Sequence, residues 1–324
     1  MIADETLRDV VMRANLAPSV HNIQPARWRR EGDDILVAAD LAATLPVGDP
    51  DNLDAGLSCG AAVEATVLAL GQAGFAADVT DCWTDDDTTT WPGTRIAARL
   101  RLSDGDADPL AQRLEDRFTW RGLFADETPK LFGWSRPDTV LVLDQPSRNH
   151  LAARNDWASL QIMRDRAFRR ELLHWMRLTP RHPRFCYDGL NRDALRMEPA
   201  TARAARWALG PFWRVLDMVG ATKGLTAEAE ATRSAPVIAC FHRPRDESPV
   251  ATGRAYLRLC LEAANLGFAG WPMAALSDHP QTRAEICDQY AIGPDRRLVQ
   301  VIRFGVATGD APARARRPLS EILS

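Results

Sequence analysis

The chain has 324 residues, 46% hydrophobic and 26% charged, which suits a globular protein with a sizeable core in one large domain or two of ordinary size. A net charge of −3 gives no general attraction to nucleic acid or to an anionic membrane. No apolar run reads as a membrane span, Met1–Glu5 does not read as a signal peptide, and six scattered cysteines spell neither a zinc site nor a disulfide framework, so a cytoplasmic protein with free thiols is expected.

Taken in chain order, Leu7–Leu16 has helical spacing. Ala17–Trp28 follows, a polar stretch between prolines that predicts an irregular loop presenting Ser19, Asn22 and Gln24 outward. Ile35–Ala39 reads as a strand. Asp49–Asn52 carries the chemistry of a helix start, and an apolar helix is expected from Ser58 to Ala73, stopped by Gly74. Phe75–Val79 and Arg95–Leu102 read as strands on either side of a polar loop, Asp85–Thr90.

A second unit is expected from about Pro109, so that 1–108 and 109–324 form two halves. It holds an arginine-bearing loop (Arg117–Gly122), a strand (Val140–Leu143), a long helix (His150–Leu178), and an irregular, then helical, segment over about 180–233. Pro236–Phe241 reads as a buried strand, Gly253–Leu266 as a second long apolar helix stopped by Gly267, and Leu298–Phe304 as a strand before a basic tail. The two long helices repeat each other. With Gly60 set on Gly253, Ala62 meets Ala255, Leu68 meets Leu261, Gly74 meets Gly267 and Phe75 meets Phe268.

Several residues group by chemistry. Pro18-Ser19-x-x-Asn22-x-Gln24-Pro25 offers hydrogen-bonding groups suited to a flat polar ligand. Arg117, Thr119 and Arg121 alternate, so that an extended loop turns them one way, as a phosphate grip requires. Arg314, Arg316 and Arg317 lie between prolines in the tail, and Gly270-Trp271-Pro272-Met273 follows the second helix. His174, His182 and His242 lack metal spacing, Ser19 lacks a visible His–Asp partner set, and no Gly-x-Gly-x-x-Gly follows a strand.

The first of these stretches resembles the Pro-Ser-x-x-Asn-x-Gln-Pro signature of nitroreductase-like flavoproteins, most of all their Acg-like branch, where a His also precedes the Asn. Further likeness lies at Ser58–Ala62, Arg117–Arg121, Arg233–Pro236 and Arg314–Pro318. The resemblance implies an α+β fold: a nitroreductase-like unit duplicated in one chain, with long central helices and flanking, mainly antiparallel sheets. It implies FMN, with Pro18, Ser19, Val20, Asn22 and Gln24 touching the isoalloxazine ring and Gly270, Trp271, Pro272 and Met273 passing its N5 edge. Arg117, Thr119, Arg121, Arg314, Arg316 and Arg317 would hold the phosphate. Each element occurs once, so one FMN per chain is expected, in a monomer or weak dimer. The activity implied is an oxidoreductase passing hydride from NAD(P)H to a small organic acceptor, with no catalytic side chain and no metal. A flavin-sequestering protein and a biosynthetic flavin oxidase or dehydrogenase stay open beside it. The 180–233 segment would be a lid, with Phe185 and Tyr187 facing the substrate.

Overall fold

The computed structural model describes residues 2–85, 90–127, 131 and 134–324. Most of the polar loop expected over Asp85–Thr90 therefore lies outside the described residues. The first half begins with α1 (Asp4–Ala14), whose Leu7, Val10, Val11 and Ala14 recur at helical spacing and are buried. It continues through β1 (Ala26–Glu31), β2 (Asp34–Asp40), α2 (Leu53–Gln72), β3 (Phe75–Asp81) and β4 (Thr94–Asp104). The strands form an antiparallel sheet in the order β1-β2-β4-β3. Trp28, Val37 and Ala98 stand opposite one another across it, and all three are buried.

The second half opens with β5 (Thr139–Val142). A long insertion follows: α3 (Gln145–Met163), α4 (Arg166–Trp175), β6 (Met176–Arg177), β7 (Leu190–Asn191), α5 (Pro199–Leu209), α6 (Trp213–Met218), α7 (Thr222–Leu225) and α8 (Ala229–Ser234). Then come β8 (Val237–Pro244), α9 (Pro249–Asn265), β9 (Ala269–Pro272), α10 (Ala274–Asp278), α11 (Pro280–Gln289), β10 (Arg296–Gly305) and α12 (Leu319–Ile322). The second sheet has the order β5-β8-β10-β9, again antiparallel throughout. Strand for strand this is the order of the first sheet, with α9 standing between β8 and β9 as α2 stands between β2 and β3. The fold is α+β, one architecture built twice.

The two copies meet along α2 and α9, and the repeated glycines mark the crossing. A Cβ on Gly60 would lie 2.1 Å from the Val250 carbonyl oxygen, and one on Gly253 would lie 2.0 Å from that of Leu57. Val250 precedes Gly253 by the same three residues by which Leu57 precedes Gly60. The contact is therefore reciprocal, as in an isologous two-fold interface. Buried Glu64 on α2 adds a polar tie, accepting from Arg254 and Arg258 on α9, both at 2.8 Å. Replacing Gly253 with alanine drives a methyl into backbone that cannot swing aside. We expect a loss of about 1–3 kcal/mol in denaturant unfolding, since overpacking a tight contact costs that much. An unchanged midpoint would mean the helices separate freely.

Several expected boundaries move. The first long helix starts at Leu53 rather than Ser58, because the Asp49 carboxylate accepts the Ala55 N–H at 2.9 Å and caps the earlier turn. The second starts at Pro249 rather than Gly253, capped by Ser248. The helix expected over His150–Leu178 is two helices, because Asp165 interrupts it and its carboxylate caps α4 through the Ala167 and Phe168 N–H groups. Strand β1 claims Ala26–Trp28 from the expected loop. The insertion is longer than 180–233: it fills the whole interval between β5 and β8, where the first half has only the Gly32-Asp33 turn. By length and composition α2 could cross a bilayer, contrary to the sequence reading, yet it is the buried centre of this fold.

After β10 the chain returns to the first half. Leu323 bridges to Trp28, and the Ser324 N–H donates to the Trp28 carbonyl at 3.0 Å.

Candidate functional site

The polar loop after α1 is pulled tight by its own side chains. Ser19 Oγ accepts the Gln24 N–H at 3.0 Å, closing a turn through Val20–Asn22. His21, Asn22 and Gln24 take positive φ values of 45°, 56° and 52°, unusual for residues with a side chain. The kinked backbone turns Pro18, Ser19, His21 and Asn22 toward two adjoining cavities between the halves.

Arg117, Thr119 and Arg121 form the facing wall of both cavities, while Trp120 turns into the core between them. The Trp120 N–H donates to the Gly270 carbonyl at 3.1 Å, and Thr119 pairs with Gly270 as a parallel bridge, so this loop extends the β9 edge. The tail supplies Arg314 and Arg316. Arg316 donates to Asn22 Oδ1 at 2.9 Å and to the Leu16 carbonyl at 3.1 Å, and Arg117 donates to that same carbonyl at 2.9 Å. One oxygen thus draws two guanidinium groups together.

Among the described residues, none of Arg117, Arg121, Arg314 and Arg316 makes an ion pair with a carboxylate, and the buried Nε of Arg316 has no hydrogen-bond partner. Burial, with Arg117 and Arg314 close by, pushes Arg316 down to about 9. Burial pushes Arg121 down to about 10 and lowers Arg117 as well. Glu228 acts on Arg121, and Glu115 and Asp116 on the exposed Arg314, only through space, so the cluster keeps an excess of positive charge that favours an anion among its members.

The larger cavity, about 320 Å³, continues away from the arginines between Leu57, Tyr256, Phe268 and Trp271. The Trp271 ring is held from behind by the fully buried Arg303, whose guanidinium carbon lies 3.6 Å from the ring centroid and which pairs with Glu228. Asp54 lines this cavity at the first turn of α2. Burial, then Asp278 and Asp49, raises its carboxyl above the usual range. His21 faces both cavities, and burial followed by the Arg121 charge lowers it to about 4. Its folded-state value lies below the unfolded one, so protonation favours the unfolded chain. The stability that neutral His21 contributes is complete above about pH 6.5 and is lost as pH falls towards 4. An NMR titration should show the His21 imidazole unprotonated until about pH 4, and His21→Phe should flatten the acid limb of stability. Ordinary titration near pH 6.5 would contradict the burial.

Of the residues singled out in sequence, Pro18, Ser19, Asn22, Arg117, Thr119, Arg121, Arg314 and Arg316 line the smaller cavity, and Val20, Gly270, Trp271 and Pro272 the larger. The others lie elsewhere. Gln24 is buried behind the loop, where its amide donates to the Tyr187 carbonyl at 2.8 Å and accepts the Arg317 N–H at 2.9 Å. Arg317 turns to Asp188 at 3.0 Å, and Met273 lies in the core of the second sheet. Gly270 is required by Phe304, whose ring would lie 2.7 Å from an added Cβ, rather than by a ligand. Phe185 is buried and Tyr187 is exposed with Arg184 over its ring; neither lines a cavity. The insertion residues that line the cavities are instead Gly189, Leu190, Asn191, Ala194, Leu195 and Glu228, and Leu190 and Leu195 also share a cluster with α3, Leu209 of α5 and Trp213 of α6. Sequence reasoning missed Tyr256 and Cys260, which lie one turn apart on α9 and face the cavity together. It discounted His21, whose signal was its place inside the motif. No grouping of His, Cys, Asp or Glu able to hold a metal occurs among the described residues.

No protein-family model matches the chain. It is 40% identical over 75 residues to the Mycobacterium tuberculosis H37Rv protein Rv3131, named provisionally as an NAD(P)H nitroreductase; the match covers 23% of this chain and 22% of that one. It is 33% identical over 79 residues to the acg protein of the same strain, named likewise, over 24% of each. The chain is similar to nitroreductase-like proteins. Its matches span less than a quarter of these relatives' length. Among solved structures, a provisionally described nitroreductase of Anabaena variabilis aligns over 94% of this chain and 88% of its own, at 11% identity and a TM-score of 0.46. The FMN-dependent nitroreductase NfnB of Mycobacterium smegmatis, solved with NADPH, aligns over 62% and 90%, at 19% identity and a TM-score of 0.34. Likenesses this distant leave the duplication to rest on the chain's own topology.

Proposed function

We propose that the chain is an FMN-dependent oxidoreductase of the nitroreductase type, taking hydride from NAD(P)H and delivering it to a small organic acceptor. The observation that carries this reading is the set of arginines without an ion pair, drawn from Arg117–Arg121 and the tail, around one end of a cavity whose further walls are mainly apolar and aromatic, with Asp54 and Glu228 among them. The residues fit FMN. Its terminal phosphate answers the need of Arg117, Arg121 and Arg316 for an anion, and planar donors suit phosphate oxygens. Ser19, Asn22 and Thr119 offer polar groups for a ring edge, and Trp271 and Tyr256 offer walls for a flat ring. When bound, FMN supplies a two-electron carrier. The chain's own part is to hold the phosphate, orient the ring and exclude water. The elements of the cavity occur once, which supports one flavin per chain.

A second reading, flavin sequestration, is favoured by one feature: Gly189–Leu195 lies over the cavity and is pinned there, because Asn22 Nδ2 donates to the Gly189 and Ala315 carbonyls, both at 3.2 Å. Anaerobic mixing with NADPH separates the two. Rapid bleaching of the flavin absorbance supports the oxidoreductase. A flavin that only dithionite reduces supports sequestration. Protein purified without flavin and unable to take up FMN overturns both.

A further inference from the structure

The insertion carries a second surface that the flavin reading does not use. Helices α5, α6 and α7 bury one side, with Leu209 and Trp213 packed on Leu160 and Met163 of α3. Their other side projects Trp207, Phe212, Val215, Met218, Val219 and Leu225 into solvent, at 46–81% exposure. Exposed large apolar side chains elsewhere in the described chain are scattered, and single ones are ordinary. These six fall within one short stretch, and the Trp207 and Phe212 rings lie 6.2 Å apart.

Cations frame the patch. Between residues 198 and 225 stand Arg203, Arg206, Arg214 and Lys223 against only Glu198 and Asp217, in a chain whose net charge is −3. Beside the patch runs a groove lined by Arg164, Arg166, Arg169 and Arg214, with Met218 and Trp213 at its apolar edge. Its one carboxylate, Asp217, is already held by Arg164 at 3.3 Å and by the Thr222 hydroxyl at 2.8 Å. Arg169 turns inward to the Leu209 and Met163 carbonyls and lies over the Trp213 ring. Arg166 and Arg214 are exposed and unpaired among the described residues.

We propose that this face docks on an anionic phospholipid surface. Side chains this exposed project from an edge instead of lining a cleft, and they stand among unpaired arginines. A bilayer interface is complementary to that arrangement: acyl chains accept Trp207, Phe212 and Met218, and headgroup phosphates accept Arg166 and Arg214. A second copy of the chain does not meet the requirement, since pairing this face with itself opposes cation to cation. Overall charge conceals the surface, because the negative balance lies elsewhere in the chain.

The test is co-sedimentation of the full chain with vesicles of phosphatidylglycerol mixed equally with phosphatidylcholine, against vesicles of phosphatidylcholine alone. Binding is expected to the anionic vesicles and to weaken as salt rises to about 1 M, where screening acts within about 3 Å. Each cation near the surface contributes roughly fivefold, so Arg166→Ala with Arg214→Ala should weaken binding about 25-fold. Replacing Trp207, Phe212 and Met218 with serine should abolish it while thermal unfolding stays cooperative. All five side chains are exposed, so the variants keep their core. No binding to either vesicle, equal binding to both, or full binding by both variants would overturn the proposal. So would a dimer that the serine variant dissolves, or binding of inorganic phosphate to the groove without any of vesicles.

Discussion

Replacing Asp188 with alanine is expected to lower stability by about 3–5 kcal/mol, because it leaves buried positive charge without its partner. Asp188 is buried and accepts from Arg177 at 2.8 Å, Arg184 at 2.8 Å and Arg317 at 3.0 Å. Arg184 keeps a second carboxylate, Glu321, at 2.8 Å. Arg177 does not; it is buried against Trp175 and has only the His174 carbonyl besides. These three arginines come from the insertion and the tail, so the carboxylate fastens both beside the loop that holds Asn22 and Gln24. Urea unfolding measures the cost. Asp188→Asn, which keeps the shape and some hydrogen bonds, should lose less than the alanine variant. A loss below about 1 kcal/mol for Asp188→Ala would place it among ordinary exposed ion pairs.

The second large effect is on the cofactor. Arg117→Ala combined with Arg316→Ala is expected to weaken FMN binding at least about 100-fold, since one charge-assisted hydrogen bond is worth roughly 1.5–3 kcal/mol and each contact therefore about tenfold or more. The same substitutions should leave the flavin-free protein as stable as before, or more so. Arg316 is lowered to about 9 by burial and by Arg117 and Arg314, so holding its charge without an anion opposes folding at neutral pH. Equilibrium dialysis with FMN and thermal melts of the flavin-free protein read the two effects separately. Retained stoichiometric flavin overturns the phosphate assignment. Lost flavin together with a large drop in flavin-free stability would make these arginines structural.

The long helices were legible in sequence because apolar spacing and a glycine stop are local signals, and the repeat was legible because Gly60 and Gly253 serve the same crossing. The exact helix starts were less so: the start signal at Asp49–Asn52 was legible but the helix was expected only from Ser58, and the caps made by Asp49 and Ser248 are contacts to backbone N–H groups that apolar spacing does not report. The break at Asp165 was hidden by apolar residues that continue through α4. At the site, alternation placed Arg117, Thr119 and Arg121 on one wall, since extended backbone imposes that alternation by itself. Direction at Gln24, Phe185 and Tyr187 was beyond reach. It depends on Arg317 and on the 184–191 turns, contacts that join residues far apart in the chain. Aromatic character at Phe185 and Tyr187 suggested a lining role, but only packing decides which way a ring faces.

The reciprocal contact between α2 and α9 also bears on how such a protein can change over generations. In an assembly of identical subunits one codon writes both sides of a two-fold contact, so every substitution is made twice and any insertion appears at both ends. Here Gly60 and Gly253 are inherited independently. The crossing ties the halves to each other while the rest of each half is free to diverge. The interval from Leu143 to Pro236 shows the outcome. One half carries nearly a hundred residues between two strands where the other has a two-residue turn. Selection could act on one end of the molecule without disturbing its twin.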